Sequence, residues 1–274
     1  MQWTLVRAVG TGAMLKKTIK SALNNYGYSI VQNNRKYEDL IGSYESLLKQ
    51  WVLKDLPSHD STRNDLISQC FGVDVKEAFY LIDCLERTKV ISGDVCEFGI
   101  AQGSTSALIA HEIRNSEKQL WLFDSFEGLP APTKKDKLID DFLNLGSIDL
   151  YKGTLSCPEK MVQSRLEKSA FPPHRTRIVK GFIEDTMHLD DLPNKVSFAF
   201  VDFDFYEPIK LVLDLLHDRM DKGGMVMVDD YGYFSEGVQI AVSEFLNDYS
   251  GCYELILPDS SVSTESFCIL KRLQ

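Results

Sequence analysis

Apolar positions along this chain follow two rhythms, and the change between them falls near residue 90. Before that point the spacing is helical. Amphipathic patterns run over 14–31, 37–54 and 75–87, the last two parted by the Pro-Ser-His-Asp-Ser-Thr turn at 57–62. Beyond it, short apolar runs alternate with helical stretches. The runs at 94–99, 119–124, 176–180, 198–201 and 224–228 are too short for packed helices and read as strands of a buried sheet. Helices are expected between and after them at 104–114, 157–170, 207–219 and 235–249, and 252–257 with 266–272 reads as a closing antiparallel hairpin. Strands alternating with helices build an α/β domain, here a doubly wound, mostly parallel sheet over 91–274 with one reversed strand. A helical extension or lid over 1–90 precedes it.

The polar residues that close the strands carry the candidate chemistry. The run Phe-Ala-Phe-Val-Asp-Phe-Asp-Phe-Tyr-Glu-Pro at 198–208 brings in Asp202 and Asp204, and the run at 224–230 ends in Asp229 and Asp230. Residues two apart on a strand face the same side about 7 Å apart, so Asp202 and Asp204 are expected to point together past the sheet edge. Ligands of open α/β sheets bind outside the carboxyl ends of the strands. Two neighbouring strands would deliver four carboxylates there, a donor set for a cation.

The first strand runs through Gly99-Ile-Ala-Gln-Gly103-Ser-Thr into a helix, an arrangement that presents backbone N–H groups to a ligand. Its G-x-x-x-G spacing lacks the middle glycine of the dinucleotide fingerprint, and no G-x-x-x-x-G-K-[ST] occurs, so NAD and ATP are disfavoured. Tight βα turns require glycine whatever their function. Asp124, closing the second strand, stands where nucleoside-binding sheets hold ribose hydroxyls; its other reading is a turn cap. The polar segment 126–151 is long enough to be a functional cover or disordered.

Composition narrows the partners. With 274 residues and 44% hydrophobic content the chain can bury a full core, and a formal charge of −10 with a pI near 5.0 disfavours nucleic acid. Six dispersed cysteines without a C-x-x-C pair read as reduced, hence cytoplasmic. No apolar stretch reaches the roughly 18 residues of a membrane span. The basic helix over 14–31 reads as a packing or dimer contact, with a membrane surface as the alternative. The five histidines are scattered without metal-ligand spacing. Tyr206 and Tyr231 line an acceptor pocket or pack in the core.

Five ordered motifs carry a resemblance: Gly-Asp-Val-Cys-Glu-Phe-Gly (93–99), Leu-Phe-Asp-Ser-Phe-Glu-Gly-Leu-Pro (122–130), Lys-Gly-Phe-Ile-Glu-Asp-Thr (180–186), Asp-Phe-Asp-Phe-Tyr-Glu-Pro (202–208) and Val-Asp-Asp-Tyr-Gly (228–232). Together, over about residues 60–274, the chain resembles the macrocin O-methyltransferase (TylF/MycF-like) family of class I, Rossmann-like enzymes that use S-adenosylmethionine and a divalent cation, Mg2+ or another. The resemblance implies that Glu97, Gly99, Gly103 and Ser104 line the methionine end of the cofactor, Asp124 and Ser125 meet its ribose, and Phe182, Ile183 and Glu184 lie near its adenine. It likewise implies Asp202, Asp229 and Asp230 as metal ligands and Asp204 as general base. The turn departs from the doubled glycine of many relatives, which leaves the role of Gln102 open.

The chemistry is consistent with this. An aliphatic hydroxyl holds its proton tightly, and a hard cation on carboxylate oxygens lowers that pKa while a neighbouring carboxylate takes the proton. The expected function is therefore methyl transfer to a hydroxyl of a sugar or glycosylated small molecule by a homodimer. A catechol or phenol O-methyltransferase is the nearest alternative, and a non-catalytic S-adenosylmethionine-binding subunit is the alternative of another class.

Overall fold

Seven strands form one sheet in the order β3-β2-β1-β4-β5-β7-β6, where β1 is Asp94–Phe98, β2 Leu120–Asp124, β3 Thr176–Lys180, β4 Val196–Val201, β5 Met220–Val228, β6 Tyr253–Ile256 and β7 Cys268–Arg272. This is a computed structural model, which describes residues 35–169, 171–258 and 267–274. The helix expected over 14–31 lies outside the described residues. The chain divides into two compact units, 1–40 and 41–274.

The first five strands are parallel, and β7 runs antiparallel to both β5 and β6. The expected mixed sheet with one reversed strand is what forms. β1 and β4 have neighbours on both sides and helices over their faces, which is why Val196, Phe198, Ala199, Phe200 and Val201 are all buried without alternation. β3, at an edge, is only partly buried and carries Arg177 and Lys180.

The helices are α1 (Arg35–Trp51), α2 (Ser61–Ser68), α3 (Val75–Thr88), α4 (Ser104–Ile113), α5 (Glu159–Lys168), α6 (Ile183–Thr186), α7 (Tyr206–His217) and α8 (Glu236–Asp248). α3 lies within the second unit, packed against β4 and β5, with Phe79, Leu81, Ile82 and Cys84 fully enclosed. α2 follows directly from the expected turn: the Asp60 carboxylate caps it by accepting N–H bonds from Thr62 (2.8 Å) and Arg63 (3.3 Å). β5 starts four residues earlier than its apolar run, because Met220 still pairs with Val196. All six cysteines are free, and among the described residues no helix is long and apolar enough to cross a membrane.

The segment 126–151 is an ordered cover. It ends in a 3-10 turn, Ile148–Tyr151, and has its own small core of Leu129, Tyr151, Phe205 and Phe234, against which Leu138, Leu143, Leu145 and Ile148 pack. Phe205 and Phe234 come from the loops after β4 and β5, so the cover is seated on the elements that carry the acids.

Candidate active site

The strand order reverses between β1 and β4: β2 and β3 lie to one side, β5 to the other. A crevice opens at the carboxyl ends of the strands at such a point. The three central strands end flush. Phe98 pairs with Val201 and Val201 with Val228, the amide of Asp202 donates to the Phe98 carbonyl at 2.7 Å, and that of Asp229 to the Val201 carbonyl at 2.9 Å. Gly99, Asp202 and Asp229 therefore stand side by side. Gly99 is in the left-handed region (φ 83°), and a Cβ there would lie 1.8 Å from the Asp202 carbonyl oxygen. Only glycine lets these two strand ends approach so closely.

Beyond Asp202 the chain does not continue as a strand, contrary to the alternation expected for Asp202 and Asp204. β4 stops at Val201, the amide of Phe205 turns back to the Phe203 carbonyl at 2.6 Å, and Asp204 adopts φ 61°. Asp230 adopts φ 57° just past β5. Non-glycine residues are uncommon there, although Asp is among those that tolerate it, and such strain persists where the surroundings over-determine it. As a result, carboxylate oxygens of Asp202, Asp204 and Asp230 lie within 4.8 Å of one another.

Asp229 is placed differently. It is buried, accepts the N–H of Asp230 at 2.8 Å, and lies close enough to Glu77 of α3 to feel its charge. Burial pushes the Asp204 carboxyl well above its usual range, and Asp230 and Asp202 push it further. Burial also raises Asp230, while the neighbouring Asp204 carboxyl acts against it. Burial and then the Glu77 charge raise Asp229. Among the described residues, no Lys or Arg is a cause of these shifts. Carboxylate oxygens crowded within 4.8 Å of one another repel, and a hard divalent ion would relieve that repulsion, so the donor set fits one.

The nucleoside side is equally legible. Glu97 is fully buried, with one oxygen accepting from Ser106 Oγ and the other, Oε1, without a partner. Burial holds its carboxyl well above the usual range, against the Ser106 hydrogen bond. An orphaned buried oxygen beside a helix start suits a ligand's ammonium group. α4 begins at Gly103 with no side-chain cap, and Ser104 Oγ accepts the N–H of Phe71 at 3.1 Å.

Asp124 acts as a turn-holder here: Oδ2 accepts from the amides of Ile100 (2.7 Å) and Ala101 (3.1 Å), and Oδ1 from Phe126 (2.6 Å). Ser125 Oγ likewise serves its own turn, donating to the Gly128 carbonyl and accepting from Glu127. Phe182 and Glu184 line a recess of about 530 Å³ together with Glu127, Leu129 and Lys152, and Glu184 Oε2 is buried without a partner. Ile183 belongs to the main core and is buried as a whole residue, so it does not line that recess. Gln102 accepts from Arg165 of α5 at 3.4 Å. Tyr206 and Tyr231 pack against the core, and the Tyr206 hydroxyl donates to Glu244 at 2.6 Å. A second cavity, about 310 Å³, opens at the amino ends of the strands near Val95; its Arg63 is committed to Glu112 and its Lys118 to backbone carbonyls.

Glu77, Ser106 and Asp136 were not foreseen from sequence. Glu77 sits three residues after Asp74, the N-cap of α3, whose carboxylate accepts its amide at 2.7 Å. That spacing signals a capping box and gives no hint of Asp229.

Comparison with known proteins agrees with this architecture. The family described as Macrocin-O-methyltransferase (TylF) matches residues 79–254. The 4'-O-methyltransferase of 8-demethyl-8-(2,3-dimethoxy-alpha-L-rhamnosyl)-tetracenomycin C from Streptomyces olivaceus is 27% identical over 176 residues, 63% of each chain. The mycinamicin III 3''-O-methyltransferase of Micromonospora griseorubida is 27% identical over 148 residues, 52% of this chain and 56% of its own. The match thus spans less than two thirds of these curated relatives. Among solved structures, the O-methyltransferase NovP superposes with a TM-score of 0.64 at 20% identity, covering 85% of this chain and all of its own. The calicheamicin methyltransferase CalS11 gives 0.58 at 18% identity, covering 97% and 99%. The structural neighbours establish the class I, Rossmann-like fold, and the family match spans the glycine turn and both acid-bearing strand ends: this chain belongs to the macrocin O-methyltransferase family.

Proposed function

We propose that this chain transfers the methyl group of S-adenosylmethionine to a hydroxyl of a sugar or glycosylated small molecule, with help from a divalent cation. The observation that carries this reading is the meeting of Asp202, Asp204 and Asp230 at the switch-point crevice, in a chain whose relatives are named for O-methylation of glycosylated natural products. When bound, the cofactor supplies an electrophilic methyl on a sulfonium, and a cation such as Mg2+ supplies Lewis acidity toward an alcohol oxygen.

Glu97, Gly99, Gly103 and Ser104 would hold the methionine end, Asp124 and Ser125 the ribose, and Phe182 and Glu184 the adenine. Asp202 and Asp230 would hold the cation with Asp229 behind them, close to Glu77. Asp204 would accept the acceptor's hydroxyl proton on a carboxylate oxygen. The cover, seated on Phe205 and Phe234, walls the acceptor side and keeps water from the reacting groups. A homodimer is part of the proposal, supported by the exposed Leu47 and Trp51 of α1 and by Val52 just after it, and a cytoplasmic location is a further part of it.

The test is incubation with isotopically labelled S-adenosylmethionine and a panel of glycosides, with Mg2+ and with chelator, read by mass spectrometry. Label is expected in a sugar hydroxyl and is expected to vanish on chelation. Transfer indifferent to chelation would remove the cation from the reading. Labelling of phenols alone would move the acceptor to the other class.

A further inference from the structure

We infer that Asp136, in the cover, is a positioning residue that sets where the cation ligand Asp230 stands relative to the base Asp204; this rests on the reading that Asp202 and Asp230 hold a cation beside Asp204. Asp136 is 3% exposed, and its carboxylate is saturated by four donors from three separate segments. Oδ2 accepts from the amide (2.6 Å) and hydroxyl (2.8 Å) of Thr133 within the cover. Oδ1 accepts from the amide of Tyr206 (2.7 Å) and the hydroxyl of Ser235 (3.2 Å).

Tyr206 opens α7 two residues after Asp204, and Ser235 caps α8 five residues after Asp230. One carboxylate oxygen therefore bridges the two loops whose left-handed residues bring the acids together. The bridge has no slack. A Cβ on Gly237 would fall 1.9 Å from Oδ1, and the strand-like contact of Leu138 with Ser235 and the bond from the Glu236 amide to the Lys137 carbonyl (2.9 Å) hold the cover in register beside it. Neither Asp204 nor Asp230 sits in a regular element, so the strand pairing that fixes Asp202 does not reach them. Three loops tied at one buried atom supply the over-determination that their conformations need.

The test is a Mn2+ titration followed by electron paramagnetic resonance, with S-adenosylhomocysteine affinity measured in parallel by calorimetry. Wild type is compared with Asp136→Asn, Ser235→Ala and Thr133→Val. Asp136→Asn sets an NH2 group against one of the two backbone amides, Thr133 or Tyr206, that the carboxylate accepts from, Ser235→Ala removes one arm of the bridge, and Thr133→Val touches only the cover's own turn. Mn2+ affinity is expected to fall about 10–100-fold in Asp136→Asn, the range for partners that orient metal ligands, and by a smaller factor in Ser235→Ala. Thr133→Val should keep it, and S-adenosylhomocysteine affinity should hold in all three. Where Asp136→Asn does not fold, Ser235→Ala against Thr133→Val decides. Unchanged Mn2+ affinity in Asp136→Asn and Ser235→Ala overturns the inference, as does a parallel loss of both affinities, which a merely structural residue would give. Wild type that binds no Mn2+ overturns the cation reading itself and this inference with it, an outcome visible before any variant is made.

Discussion

Replacing Gly99 with Ala should damage the acid cluster from the neighbouring strand. The new methyl would lie 1.8 Å from the Asp202 carbonyl oxygen, 2.8 Å from its carbonyl carbon and 3.3 Å from Phe203 Cδ1, at a backbone φ of 83°. Left-handed backbone costs an L-residue about 1–2 kcal/mol. Overpacking adds about 1–3 kcal/mol, and contact with backbone, which cannot rotate away, places this site at the upper end. The two together come to about 3–5 kcal/mol, a large share of the roughly 5–15 kcal/mol that holds a domain folded.

Gly251→Ala isolates the first contribution. Its φ is 79° and nothing lies within 4 Å of the added methyl, so about 1–2 kcal/mol is expected there. Urea denaturation of both variants reads the difference as a shift in midpoint at constant slope. Because the Asp202 carbonyl must retreat by more than about 1 Å, its carboxylate moves too. A displacement of that size costs about 10²-fold in a positioned reaction. Gly99→Ala with the stability of Gly251→Ala and wild-type turnover would show that β1 and β4 do not set the site's geometry.

Three further outcomes follow from the same geometry. Asp202→Asn and Asp230→Asn should weaken Mg2+ and regain rate at high Mg2+, whereas Asp204→Asn should keep cation affinity, lose about 10²–10⁴-fold in the chemical step and not be rescued; steady-state rates across a Mg2+ series separate the two patterns. Phe234→Ala removes a fully buried ring that lies 4.8 Å from Tyr151 and 5.1 Å from Phe142 by centroid, so the cover should lose about 3–5 kcal/mol of docking and trypsin should cut faster at Lys134, Lys135 and Lys137; unchanged cleavage would contradict its seating. Asp60 is drawn upward by burial, but the His111 hydrogen bond and the amides of Arg63 and Thr62 outweigh this and hold its carboxyl at about 2, against 3.8. A depressed carboxyl stabilises fully above its unfolded pKa, so about 2 kcal/mol should be lost as pH falls from about 4 to 2, and Asp60→Ala should flatten urea-derived stability across that window.

The primary sequence determined the layers and the place of the site. β4 is apolar from Phe198 to Val201 because both faces are covered, so its end announces itself as the first polar residue after that run, Asp202, while β1 ends at the turn glycine Gly99. The closing pair β6 and β7 and the long cover were marked out in the same way, by where apolar spacing starts and stops.

Periodicity reports which side chains leave water, not whom they meet, and the rest depended on that. α2 gave no amphipathic signal because its buried face is polar: Arg63 there is satisfied by a paired grip on Glu112 and by Glu45, residues from other helices. Glu77 spells a helix cap, and only the packing of α3 across β4 and β5 brings it to Asp229. Asp136 is one acid among several in a polar segment until Tyr206 and Ser235 arrive from either side. Asp204 and Asp230 were visible as strand-end acids, but strand geometry alone would have left Asp204 on an extended ladder. Their meeting required two left-handed turns, a conformation that local sequence permits in aspartate and that the contacts of three loops in the folded chain impose.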